Sequence, residues 1–183
     1  MKKFLAACLV PACISAVAVP ASLFVNQTVV QAAPAGSWQT VKGNGFSIQM
    51  PGKPKVEAKT EKMGQDQVQL AEYELELSTN AGYGLMVMEM PISFTPKSRM
   101  AQEMLDTMTQ PSKQSKQKVV ARQSLTLGGN PGREVTLSDG KESGKIRVFL
   151  VQNRIYMMAA GGNSGKLSPQ NIDRFLQSFK LTK

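Results

Sequence analysis

The stretch "LGGNPGREVTL", Leu127 to Leu137, decides the fold. It sets glycines and a proline ahead of an arginine and a glutamate, so it is either a ligand-holding loop or a corner between two strands. The residue types favour the corner. In Asn130-Pro131-Gly132-Arg133, proline takes the second position and glycine the third, the combination that a type II turn needs because its third residue has φ > 0. A structural turn is therefore expected at Asn130, Pro131 and Gly132. The flanking segments, Val119 to Leu127 and Arg133 to Ser138, read as strands, and a tight turn between strands makes them antiparallel. Arg133 is in phase with Val135 and Leu137 and so points toward the covered face. There it requires a carboxylate or several carbonyls, as a structural ion pair or as a grip on a ligand.

Working outward, the chain shows mostly period-2 segments punctuated by turn residues. Trp38 to Lys42, Phe46 to Met50, Lys55 to Lys62, Gln67 to Leu77 and Gly84 to Met90 read as strands before the corner. Lys145 to Gln152 and Arg154 to Ala160 follow it, joined through a "QN" reversal. Two helical stretches interrupt the strands. One opens with Thr95 as N-cap and Pro96 at the first helical position, and carries Met100, Met104, Leu105 and Met108 on one side. The other runs from Ser168 to Phe179, with Ser168 as cap, Pro169 at its first position and a stripe of Ile172, Phe175, Leu176 and Phe179. Runs of strands with segregated helices predict an α+β fold with an antiparallel β-sheet.

Residues 1–32 read as a signal peptide: Lys2 and Lys3 precede an uncharged run from Phe4 to Val25, and small residues follow. Cleavage is expected after Ala32, with Ala18 as the second choice. The run is also long enough to span a bilayer core of about 30 Å, which keeps an uncleaved anchor open although Pro11 and Pro20 interrupt it. "LAAC", Leu5 to Cys8, has the letters of a lipoprotein site but few apolar residues before its cysteine. Residues 33–37 form a linker, and residues 38–183 are expected to be a single domain. The expected location is outside the cytoplasm, in a periplasm or the extracellular space.

Both cysteines, Cys8 and Cys13, lie in this leader, and the chain has no histidine. The body therefore has no disulfides, thiol nucleophiles, cysteine zinc sites or imidazole bases. A domain of about 150 residues can still bury roughly 70% of its unfolded surface without covalent help. The formal charge is +9 and includes Lys2 and Lys3, leaving +9 − 2 = +7 for the body. Such a balance favours anionic partners, an envelope protein or an anionic membrane surface. Scattered basic residues and few aromatics argue against nucleic acid.

Two clusters invite a metal. Glu72, Glu74 and Glu76 align on one strand face at spacings of about 6.6 Å, which raises calcium, since hard cations want several oxygens. The plainer reading is a solvated face, paired across strands with Lys55, Glu57, Lys59 and Glu61. Met86, Met88 and Met90 share another strand face, and thioethers are soft ligands for Cu(I). Core packing against Met100, Met104 and Met108, or an adaptable apolar pocket, are the other readings. "AAGGNSGKLS", Ala159 to Ser168, has the position of a phosphate loop but not its spacing: three residues separate Gly161 from Gly165, and Leu167 replaces the hydroxyl. No acid and base pair emerges, no cofactor is expected, and nothing marks the chain as an enzyme.

At "GGNPGRE", "RVFLVQNRIY", "RFLQSFKL" and the earlier "FSIQMPGKP", the sequence resembles small exported bacterial proteins of the PsbP-like fold, which also includes DcrB and Mog-type proteins. The resemblance implies an α/β/α sandwich used as a binding scaffold without a common active site. Photosynthetic members attach to the lumenal side of photosystem II, so a photosynthetic source would make this a lumenal accessory protein; their histidine metal positions have no counterpart here. The expected function is that of an exported, non-enzymatic accessory protein, with a carrier of a small apolar ligand or Cu(I) in a methionine-lined interior as the alternative.

Overall fold

The computed structural model describes residues 37–63, 66–79, 81–94, 96–111, 115–163 and 167–182. The expected leader, the linker up to residue 36, the cap Thr95, and Gly165 of the glycine-rich loop lie outside the described residues.

Ten strands and two helices follow one another along the described residues. The strands are β1 (Gln39–Gly43), β2 (Phe46–Met50), β3 (Lys55–Met63), β4 (Asp66–Ser78), β5 (Ala81–Glu89), β6 (Lys118–Leu127), β7 (Asn130–Ser138), β8 (Glu142–Val151), β9 (Arg154–Asn163) and β10 (Lys180–Leu181). The helices are α1 (Ser98–Met108), between β5 and β6, and α2 (Pro169–Gln177), between β9 and β10. The fold is α+β, as the segregated pattern predicts. Seven strands form one antiparallel sheet in the order β3-β4-β5-β9-β8-β7-β6, and β1, β2 and β10 form a second, three-stranded sheet. Nothing in a period-2 pattern names a strand's partner, which is why this second sheet, closed by Lys180 and Leu181 pairing with Ser47 and Phe46, is a finding of the structure.

Both faces of the large sheet are covered, so its central strands are apolar on both sides. One face carries α1: Ala101 and Leu105 of the helix pack with Val68, Leu70, Met86, Met88, Val135, Val148 and Met157. The other carries the small sheet and α2, around Phe46, Ile48, Tyr83, Phe149, Tyr156, Ile172, Phe175 and Phe179. Aromatic edges meet faces there. Tyr83 lies edge-on to Trp38 (5.9 Å) and to Phe175 (5.2 Å), and Phe46 edge-on to Tyr73 (5.3 Å).

Local signals set α2 as expected: the Ser168 hydroxyl accepts a hydrogen bond from the Asn171 N–H, with Pro169 at the first helical position. Helix α1 starts later than the sequence predicts, at Ser98, with Lys97 at the N-cap and no side-chain cap bond.

The corner in "LGGNPGREVTL" requires a correction. The chain reverses at Gly128 and Gly129, with φ of 55° and 82°, and Leu127 pairs with Asn130 across this two-residue loop. Positive φ at both central residues is the type I′ arrangement, whose twist matches that of paired strands where a type II turn would splay them. Asn130, Pro131 and Gly132 therefore lie inside β7, and the Asn130 side chain donates back to the carbonyls of Leu127 (3.0 Å) and Gly128 (3.2 Å). Pro131, which lacks an N–H, pairs only with Thr126 of β6 and precedes the first β8 partner of the strand. Gly132 has a different role: a Cβ there would lie 2.4 Å from the Phe149 ring.

Gly132→Ala is accordingly expected to destabilise the protein by about 1–3 kcal/mol through overpacking, and Phe149→Leu in the same chain should recover part of that loss. A turn glycine would be indifferent to Phe149, so additive effects in urea unfolding contradict the packing role. A second outcome concerns Tyr83, which is 1% exposed. Burial pushes its phenol from 10.0 up to about 12. The neutral phenol thus favours the folded state in full below pH 10, and this contribution is lost as the pH rises toward 12, by roughly 2–3 kcal/mol. Tyr83→Phe should remove that part of the alkaline instability; identical pH profiles for parent and variant contradict it.

Candidate functional site

Arg133 and Glu134, adjacent in β7, point to opposite faces of the large sheet, and each meets a helix. On the α1 face, Arg133 Nε lies 2.9 Å from Asp106 Oδ1 of α1, an ionic contact whose N–H is not aligned for a hydrogen bond. Its Nη1 donates to Ser124 Oγ (2.6 Å) and its Nη2 to Gln102 Oε1 of α1 (3.0 Å). Arg122 of β6 also reaches Asp106, at 3.1 Å. Arg133 is thus held by a carboxylate and two neutral acceptors.

On the other face Glu134 is 4% exposed. Arg147 of β8 places Nε 2.7 Å and Nη2 2.5 Å from Glu134 Oε2, and Gln123 Nε2 donates to Oε1 at 2.8 Å. Arg147 Nη1 continues to the Leu176 carbonyl in the last turn of α2 (2.8 Å), and Lys145 ties Asp173 of the same helix at 2.6 Å. The sequence reading missed this network because it treated only one face of β7 as covered. The signal was available: with both faces buried, Glu134 needs a cation in phase on a neighbouring strand.

The glutamates expected to share a face do so, on the side of the large sheet that carries α1. Glu74 stands opposite Lys55, but Glu72 stands opposite Glu57, and the close ion pairs run along β3, Lys55 to Glu57 (2.5 Å) and Lys59 to Glu61 (2.7 Å), rather than across to β4. Partial burial, then the neighbouring Glu76 and Glu72 carboxylates, push the Glu74 carboxyl above its ordinary range. Among the described residues no three carboxylates converge on one point. Met86 and Met88 are buried beneath α1, and Met90, Met104 and Met108 pack around them; Met100 is half exposed.

Two open concavities flank the small sheet instead. A trough of about 390 Å³ has an apolar lining from Phe46, Ala58, Ala71, Tyr73 and Val87, with the Glu89–Arg154 ion pair (3.0 Å) at its rim. It lies on the face opposite the methionines. A groove of about 650 Å³ runs between the small sheet and α2, past Thr40, Ser47, Gln49, Gln170, Asp173, Arg174, Gln177 and Lys180. Apart from Ile48 its lining residues carry polar or charged groups, and Arg174 is fixed within it. The guanidinium lies 4.4 Å from the centre of the Trp38 ring, and its Nε and Nη2 both sit 3.3 Å from Gln49 Oε1. Neither concavity was legible beforehand, because each is formed by strands far apart in sequence.

A large antiparallel sheet bearing a helix on one face, and a helix with a small sheet on the other, is the PsbP-like fold. The solution structure of the cyanobacterial PsbP protein CyanoP from Synechocystis sp. PCC 6803 is similar to this chain, with a TM-score of 0.52 and 8% sequence identity over 83% of this chain and 96% of that one. No protein-family profile matches the chain, and no curated protein does. Among the described residues no helix is long and apolar enough to cross a membrane.

Glu134→Gln keeps the shape of the side chain but leaves the Arg147 guanidinium without a counter-ion, and removing one partner of a buried pair costs about 3–5 kcal/mol. Glu76→Gln on the exposed stripe should change stability by less than about 0.5 kcal/mol. Equal urea midpoints for the two variants contradict the structural role of Glu134.

Proposed function

We propose that the protein is exported and acts, without catalysing a reaction, as an accessory that binds an envelope protein or an anionic membrane surface. One observation carries this reading. The inward-facing charges, buried Glu134 and part-buried Arg133 and Arg147, are all engaged in holding helices to the sheet, whereas Arg174 and Lys180 line an open groove. Charges consumed by the fold are not free for chemistry; charges displayed in a groove are free for recognition. The basic balance and the export signal in the sequence support the same reading. For a photosynthetic source it becomes that of a lumenal accessory to photosystem II, with the likeness to a cyanobacterial PsbP protein in support.

The test is photocrosslinking in intact cells from probe residues at Gln170 in the groove and Thr60 in the trough. Capture of an envelope protein or lipid is the expected result. Recovery of the chain in the cytosol, with nothing captured from either position, contradicts the reading, as does turnover in a broad hydrolase screen.

A second reading, a small-ligand carrier, is favoured by the apolar trough, whose size falls in the range of ligand pockets. A carrier is stabilised by its ligand through mass action, by about 2.7 kcal/mol at a hundredfold excess over Kd. Thermal melting with apolar ligands and with Cu(I) separates the readings: a raised Tm supports the carrier, and an unchanged one leaves the accessory protein.

A further inference from the structure

The outward face of the small sheet carries its charges in a definite arrangement. β2 lies between β1 and β10, and its alternate residues Phe46, Ile48 and Met50 are buried, so Ser47 and Gln49 face outward. In the Ser47 row, Lys42 is the partner on one side and Lys180 on the other. With strands about 4.8 Å apart, the two lysines stand roughly 10 Å from one another across the Ser47 hydroxyl. Both are exposed, and neither forms an ion pair with a described residue. The one carboxylate in the groove, Asp173, is occupied by Lys145.

The next row holds Gln49 and, beside it, Arg174. Stacking on Trp38 and the two contacts to Gln49 fix the plane of the guanidinium, while its Nη1 group makes no hydrogen bond to a described residue. A planar cation held in place with an unused edge is suited to a carboxylate, since little side-chain freedom is lost on binding. The rows through Ser47 and Gln49 are two residues apart on one strand, about 6.6 Å. Alternate side chains of an extended peptide have the same spacing.

We propose that this groove, with the adjoining outward face of the small sheet, binds an extended acidic segment of a partner protein, with carboxylates at alternate positions: one on Arg174, the next on Lys180 in the groove and on Lys42 just beyond its lining. The proposal rests on the reading of the chain as a binding protein and names the partner's chemistry. The amide side chains of Gln170 and Gln177 along the α2 wall supply donors and acceptors for a peptide backbone. A membrane surface is the poorer fit, because docking on lipid joins basic residues to inserted apolar ones, and the strongly exposed apolar residue Ile92 is not part of this groove.

Trp38, the only tryptophan of the chain, lies beneath Arg174 and reports on the site directly. A synthetic nine-residue peptide with glutamate at alternate positions, titrated into the purified protein at low salt, is expected to change Trp38 emission saturably. The double variant Lys42→Gln, Lys180→Gln should weaken binding about tenfold or more, as for the loss of charge-assisted contacts, and Lys141→Gln, in the β7–β8 turn, should not. An unchanged emission, equal weakening by Lys141→Gln, or binding to phosphatidylglycerol vesicles in place of the peptide would overturn the proposal. In-cell crosslinking separates its failure from that of the broader reading: a partner captured at Thr60 but not at Gln170 refutes the groove alone, and no capture at either refutes both.

Discussion

Where the large sheet is covered on both faces, around β7, a charged residue is cut off from most solvent whichever way it points, and this constraint governs how the helices are held. On a strand with one wet face, consecutive residues of opposite charge are unremarkable: one looks inward and the other is hydrated. On β7 both look inward. Arg133 and Glu134 therefore had to find partners on opposite sides, and the partners nearest to hand are on the helices or lead to them. Asp106 binds α1 to Arg133 and Arg122, while Arg147 carries the charge of Glu134 on to the last turn of α2. Apolar burial supplies the driving force on both faces, but it is nondirectional. The ion pairs fix where along the strands each helix lies.

Placing α2 has a consequence for recognition. Its inner face packs Ile172, Phe175 and Leu176 into the aromatic core, and its C-cap Ser178 accepts a hydrogen bond from the Gln49 N–H (2.8 Å), continuing the pairing that β10 begins. The helix is thereby held beside the small sheet rather than on top of it. The gap between them is the polar groove, and Arg174 is on the helix face that borders it. The fold's internal charges and its displayed charges thus meet at adjacent residues of one helix, Asp173 facing Lys145 and Arg174 facing Trp38.

Much of the architecture was legible in the sequence because it is written locally. The alternation in Phe46–Met50 gives that strand to the residue, and Ser168 with Pro169 marks the start of α2 by the chemistry of the cap. Where two local signals competed, the reading went astray: Gly128-Gly129 and Pro131-Gly132 are both turn pairs, and only the twist of the paired strands selects the first. Arg133 was recognised as needing a partner, but Asp106 lies on a helix whose packing no periodicity reveals. Glu134 was overlooked for the reason given by the constraint itself, that burial of the second face is a property of the assembled sheet. The groove and the trough are more remote still, since they exist only after residues near the start of the domain pair with residues near its end.

The division of labour on β7 is tested most directly by amide hydrogen exchange across the helices in single variants of its two charged residues. Arg133→Met should lower protection in α1 more than in α2, and Glu134→Gln should do the reverse, because each change frees one helix from one face. Loss of protection spread evenly over both helices in either variant would contradict the view that adjacent residues of one strand hold opposite sides of the molecule independently.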